Sequence, residues 1–488
     1  MIVGVYTGRV MLQALGIDNY GINNVVGGIV GMSALLTGTM AQAISRYITY
    51  AQGKGEKEGL CTMFSTCVNA QIVMAVLVGT VLEIVGMWFL NNEANIPEGR
   101  MTAANWVLQC GIFSLAISLI SSPYNSLLIA HERMGIYAYT SIADATLKLA
   151  ICFAVMYYRG DQLILFAVLQ VLIGIGMRYF YGWYCSRNFE EVHYHPKVFD
   201  KRLLKELTIF SSWNLLNNGA YIFATQGVSM LINIFFGVAF NAARGLAGQI
   251  NQSIQGFVNN FTMAFSPQIT KSYAAGNVEY AVQLANRGTK FSWLMMSVFV
   301  IPVCAEADTL LQLWLGTVPV MAGVFLRFAM FESLAVVSGQ NLYRLIQADG
   351  RIRHYTTRSF LVAGMIFPIV WLAYLLGAPV WISYMIFIMD YMLLNLLRYY
   401  EIKRLMPFSV TEHLKTCIIP CIIVTIASFF LPLVIVDIME PSWLRFLLNV
   451  PVAILWTVAC CIVFGLTRHE RTFFWDKTKL ALNRITKR

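Results

Sequence analysis

Apolar runs of about 20 residues recur from one end of this 488-residue chain to the other, each long enough to cross a hydrocarbon layer of about 30 Å at about 1.5 Å per helical residue. A bilayer accommodates such runs if each segment satisfies its own backbone N–H and C=O groups, which a helix does. A membrane barrel would instead show alternating strands of about 10 residues. Composition bears on the same point: 12% of residues are charged and 58% hydrophobic, against roughly a quarter charged in soluble proteins. The expected fold class is an all-α polytopic membrane protein with about 14 transmembrane helices.

The spans read as Ile2 to Leu15, Ile22 to Ile44, Cys67 to Leu90, Trp106 to Ile129, Ile136 to Tyr158 and Leu163 to Tyr184. After a basic connector come Trp213 to Phe236, Ala242 to Phe265, Phe291 to Leu313, Val318 to Asn341, Phe360 to Leu376 and Pro379 to Tyr399, and then Cys417 to Val436 and Trp443 to Leu466. The first span stops at the Gly16-Ile17-Asp18-Asn19 turn after about 14 residues, or about 21 Å of helix. That is short for a crossing, so the expectation is a truncated first helix with upstream residues missing. Twenty-seven of the 35 Lys and Arg fall on one set of loops and ends. Positive residues mark the cytoplasmic face, which places both termini there. The tail from Thr467 to Arg488 mixes Phe473, Phe474, Trp475 and Leu480 with seven bases, a composition suited to lying on an anionic leaflet, so membrane lipids are an expected partner.

Other function classes are poorly served. Ten cysteines suggest a disulfide set, but eight lie in or beside apolar spans, and no CxxC or Cys/His spacing supports a zinc site. The surplus of bases is spread through short loops, so no nucleic-acid partner is expected. No GxxxxGK[ST] loop is present, and His193 and His195 sit in the connector without a carboxylate motif, so neither enzyme activity nor a cofactor is expected.

Sliding the chain against itself by 221 residues aligns Gly16 with Gly237, Gly27 with Gly248, Ala43 with Ala264, Ser45 with Ser266, Thr49 with Thr270 and Gly55 with Gly276. With Ile29, Ile48 and Glu58, nine identities fall in 43 positions, about threefold above composition. Two parallel lobes follow, residues 1–205 and 206–405, with 406–488 holding two further helices and the tail.

Charges inside spans are the candidate functional residues, because each costs about 2.5–3.5 kcal/mol in hydrocarbon unless it finds a cavity or partner. Arg9 lies in the first span. Asp144 and Lys148 stand one turn apart and are expected to pair. Asp390 stands alone near the middle of the twelfth span, the best candidate for proton or sodium coupling. Glu306 and Asp308 lie near the outer end of the ninth span, where solvation is expected. The seventh and eighth spans are rich in amides, and Gln252, Gln255 and Asn259 recur at helical spacing, suited either to hydrogen-bonding sugar hydroxyls or to pairing helices. Arg244 sits at their outer side, placed for an anion.

The segment YTGRVMLQALGIDNYGINNVVGG (Tyr6 to Gly28) and the run INIFFGVAFNAARGLAGQINQSIQGFVNNFTMAFSPQITKSYAAGN (Ile232 to Asn277) resemble Wzx-type polysaccharide flippases of the multidrug/oligosaccharidyl-lipid/polysaccharide exporter superfamily, particularly homologues from Bacteroides-like bacteria. WFLNNEANIPEGRMTAANW and LLQLWLG are similar to the same group. The resemblance implies two six-helix lobes around a hydrated cationic cavity, with two extra helices outside, alternating between inward-open and outward-open forms. It implies, in the inner membrane of a bacterium, a lipid-linked oligosaccharide substrate on polyprenyl pyrophosphate for O-antigen or capsule assembly, with positive side chains binding the pyrophosphate. The in-span charges suit such a cargo: Arg9, Lys148 and Arg244 are the candidates to face the anion, and Asp144 or Asp390 to couple an ion. A polysaccharide polymerase of the same pathway is an implied partner. A multidrug efflux antiporter of the superfamily would share the fold but favour acidic and aromatic cavity walls. A membrane-embedded polysaccharide enzyme fits less well, since the longest outer loop has about a dozen residues.

Overall fold

A computed structural model of the chain describes residues 34–54, 60–92, 99–189, 192, 200–315, 318–467 and 470–472, together with the isolated positions 10, 11, 14, 15, 19, 22, 23, 26, 27 and 30. Most of the expected short first helix, Arg9 and most of the tail lie outside the described residues. Among the described residues there is no strand. The helices are α1 (Ala34–Lys54), α2 (Leu60–Asn92), α3 (Met101–Ala130), α4 (Met134–Met156), α5 (Gln162–Asn188), α6 (Lys201–Phe236) and α7 (Val238–Met263). The series continues with α8 (Phe265–Ala274), α9 (Val278–Ala305), α10 (Ala307–Leu315), α11 (Ala322–Asp349), α12 (Arg353–Leu375) and α13 (Ile382–Leu405). Two helices containing π-turns, α14 (Val410–Ile438) and α15 (Trp443–Gly465), complete it.

Ten of these are long and apolar enough to cross a membrane among the described residues. Helices α1, α7 and α13 have the length but fall short on composition. In α7 and α13 that reflects polar side chains, which lipid tolerates only if the protein itself satisfies them. The chain is a multi-pass membrane protein.

Several boundaries differ from the sequence reading: the ninth span starts at Val278 rather than Phe291 and breaks at Glu306. The seventh span begins not at Trp213 but within a continuous 36-residue helix from Lys201, about 54 Å long. Asp200 explains the start: its Oδ1 accepts from the backbone N–H groups of Arg202 (2.8 Å) and Leu203 (3.2 Å), satisfying donors that the first turn leaves open. Leu207 and Phe210 are buried and extend the apolar face below Trp213. The basic connector is therefore largely helical and overhangs the hydrocarbon layer.

The chain forms two compact units, Met1–Gly219 with Thr270–Gly276, and Ala220–Ile269 with Asn277–Arg488. In the first, α3 packs against α1, α2 and α5, while α4 rests on α5. Asp161 caps α5 through Leu163 and Ile164 and also pairs with Arg100 at 2.7 Å. In the second, α11 is central, packed against α7, α9 and α13. About two-thirds of the apolar stretch of α9 and α11 is buried (67% and 61%), against 17–33% for the other candidate spans. These two helices are therefore shielded from lipid along most of their apolar stretch, and polar residues on them must be satisfied by protein. Gly237 joins α6 to α7 at φ +94° and ψ 175°, a conformation essentially confined to glycine.

Charged groups around α10 correct one expectation. Glu306 is not solvated: it is 1% exposed, and accepts from Arg445 Nη2 at 2.9 Å and Asn449 Nδ2 at 2.7 Å, both on α15. Arg445 also donates to Thr309 at 3.0 Å. Glu306 ends α9 at a break between helices, where α15 packs against it and buries the carboxylate. Asp308 does stay exposed, yet it pairs with Arg327 at 2.8 Å.

Candidate functional site

Two helices of the second unit meet along facing polar stripes. On α7 the stripe is Asn251, Gln255 and Asn259; on α11 it is Ser333 and Gln340. Gln255 Nε2 donates to Ser333 Oγ at 2.8 Å, and Ser333 Oγ donates to Asn251 Oδ1. One heptad on, Gln340 Nε2 donates to Asn259 Oδ1 at 2.7 Å. The contacting α7 residues are spaced by four, along the ridge on which helices commonly interdigitate. Gln252 lies off this ridge and is exposed. Of the three amides singled out in sequence, two therefore bridge helices and one faces outward.

Charges gather at one end of the seam. The Arg244 guanidinium lies 5.7 Å from the ring centres of both Tyr384 and Phe387, and its Nη1 is buried without a hydrogen-bond partner among the described residues. Glu332 sits within electrostatic range of Arg244 and of Asp390, and Tyr221 Oη reaches its Oε1 at 3.5 Å. Asp390 is 6% exposed, and its Oδ2 also has no hydrogen-bond partner among the described residues. Two turns along α13, Arg398 completes the set within range of Asp390. Asn395 Oδ1 accepts from Arg398 Nη1 at 2.6 Å, and Tyr355 Oη from its Nε at 3.0 Å. Gly339 leaves the space on α11 into which Arg398 and Asn395 fold, since a Cβ there would collide with both.

Asp390 is therefore not isolated: it belongs to an Arg244–Glu332–Asp390–Arg398 group in which positive and negative charges balance. What the arrangement can do follows from its loose ends. A buried guanidinium nitrogen and a buried carboxylate oxygen, each unpartnered, are costly unless something else visits them. One suits an anion or a hydroxyl oxygen; the other suits a proton or a small cation.

Lys148 and Asp144, on α4 of the first unit, pair with each other at 2.7 Å, with side chains 45% and 35% exposed. Arg178, on α5, stacks over Tyr124 at 3.9 Å. Sequence reasoning missed Ser333 and Tyr221. A signal existed for the first: Ser333 and Gln340 stand seven apart, as Gln252 and Asn259 do. Glu332 was visible as a charge within a span, five residues from Arg327, but its surroundings were not: Arg327 pairs with Asp308, and Glu332 lies within range of Arg244 and Asp390.

No family model matches the chain. An uncharacterized membrane protein, EpsK of Bacillus subtilis (strain 168), is 18% identical over 319 residues, covering 63% of this chain, which thus matches 60% of that protein's length. Among solved structures, MATE in the bent conformation superposes with a TM-score of 0.71 at 14% identity, covering 83% of this chain and 92% of that one. An outward-facing multidrug resistance MATE family transporter of the MOP superfamily gives 0.67 at 14%, covering 83% and 93%. A MOP superfamily transporter from Pyrococcus furiosus, whose reverse polarity of binding pocket suggests a different function, gives 0.66 at 14%, covering 83% and 94%. At such identities the likeness shows the fold, which is MATE-like.

Proposed function

We propose that this protein is a flippase that carries a polyprenyl-pyrophosphate-linked oligosaccharide across the bacterial inner membrane for surface polysaccharide assembly, both termini being cytoplasmic. Support comes first from the MATE-like fold, since its neighbours are transporters and a transporter needs no catalytic centre. The observation that carries the substrate class is Arg244: an always-ionised donor with a buried, unpartnered nitrogen beside a seam of amides. Guanidinium matches a pyrophosphate, amides match sugar hydroxyls, and the polyprenyl tail needs no site because lipid solvates it. Movement is by alternating access. Asp390, with a buried oxygen that has no partner among the described residues and with Glu332 and Arg398 in electrostatic range, supplies the proton or sodium coupling. In the first unit, Arg9 and the Asp144–Lys148 pair remain candidates for the same anion and ion.

The acidic and aromatic groups here, Glu332 and Asp390 with Tyr221, Tyr384, Tyr391 and Phe387, favour a second reading, efflux of organic cations in the manner of a multidrug antiporter. Purified protein in liposomes decides. A fluorescent lipid-linked oligosaccharide should move to the quenched leaflet at a rate that falls at least tenfold in Arg244→Ala. Accumulation of a cationic dye with no oligosaccharide movement would replace the flippase by the antiporter.

A further inference from the structure

Within the first unit, the last turns of α1 and α8 cross at Gly53 and Ala274. A Cβ on Gly53 would lie 2.6 Å from the Lys271 carbonyl oxygen, 2.9 Å from its Cα and 2.8 Å from Ala274 Cβ. No side chain fits unless the helices part. The 221-residue offset carries position 53 onto 274, so this contact joins equivalent positions of the internal repeat.

The same crossing is bound to the α3–α4 turn. Lys271 Nζ reaches Glu132 Oε1 at 3.2 Å, and Gln52 Nε2 is 2.8 Å from His131 Nε2, whose ring stacks on Phe189 at 4.0 Å. Glu132 holds φ +58°, a left-handed conformation that an ordinary residue keeps only when its surroundings impose it. The Lys271–Glu132 pair is 29% and 37% exposed, and ion pairs of that kind are weak enough to break and re-form. Thus a backbone contact that is either fully made or lost is joined to a polar link that opens at little cost.

We propose that this crossing is a clasp: it shuts the face that the positive-inside pattern assigns to the cytoplasm, and it parts as one element when the protein opens to that face. Packed contacts of this closeness have two discrete arrangements rather than a graded series. The inference rests on the alternating-access reading above.

Hydrogen–deuterium exchange on the full chain in nanodiscs tests it without any transported substrate. Segments 50–54, 130–133 and 270–276 should exchange through one shared opening. Gly53→Ala should speed all three by about tenfold or more, leaving Val410–Gly465 unchanged. Lys271→Glu should speed them by about twofold, and Glu132→Lys with Lys271→Glu should restore the native rate. Faster exchange at 50–54 alone, or an equal rise throughout the chain, would overturn the clasp. Failure of oligosaccharide movement in liposomes with the expected exchange pattern would instead overturn the transport reading.

Discussion

The ion pair on α4 and the charged group on α7, α11 and α13 both put charges inside apolar helices, but they solve the problem differently. Lys148 reaches Asp144 one turn away on its own helix, at 2.7 Å, so that pair travels intact through any rearrangement of its neighbours. Asp390, Glu332 and Arg244 belong to three different helices, and Arg244 Nη1 and Asp390 Oδ2 are left buried and without a partner among the described residues. Their electrostatic balance therefore depends on how α7, α11 and α13 are packed. A third arrangement, Glu306 with Arg445 and Asn449, is also shared between helices, but there the Glu306 carboxylate has donors on both oxygens. Charges held on one helix suit anchoring, closed groups between helices suit docking, and open groups between helices suit binding.

The largest effect that this contrast predicts is on docking. Arg445→Ala leaves Glu306 buried without its cation, which should cost about 3–5 kcal/mol, visible as a marked fall in the thermal midpoint of the protein in detergent. An unchanged midpoint would show that α15 is not held by this group. Next, Asp390→Asn should leave the midpoint nearly unaltered while gradient-driven flipping in vesicles falls at least tenfold; full transport would remove Asp390 from coupling.

A smaller effect concerns Glu470. Burial raises its carboxyl pKa, but hydrogen bonds from Lys290 Nζ (2.7 Å) and the Thr467 backbone and hydroxyl outweigh that and hold it below the ordinary glutamate value. A depressed folded pKa contributes stability above the unfolded pKa and loses it as pH falls through the folded one. The thermal midpoint should therefore drop on acidification through that range, and Glu470→Gln should flatten this part of the profile. An identical profile in the variant would detach Glu470 from the acid response. The smallest change is expected for Asp144→Asn with Lys148→Met, about 0.3–0.5 kcal/mol. A loss above about 2 kcal/mol would place that pair among the interhelical groups and erase the distinction.

The all-helical, multi-pass character and the self-pairing of Asp144 with Lys148 were legible in the chain because each depends on local spacing: apolar length against bilayer thickness, and residues four apart on one helix. The 221-residue offset carries the end of α1, Lys54, to within one residue of the end of α8, Ala274. Only the tertiary structure showed that Asn251 rather than Gln252 meets Ser333, that Glu306 is buried under Arg445, that Asp390 has Glu332 and Arg398 for company, and that Gly53 crosses the second copy. Each of those facts depends on which helix lies opposite. Periodicity reports which face of a helix is polar, but the neighbour that face meets is chosen by the packing of α7, α9, α11, α13 and α15 around one another, and spacing along the chain carries no record of it.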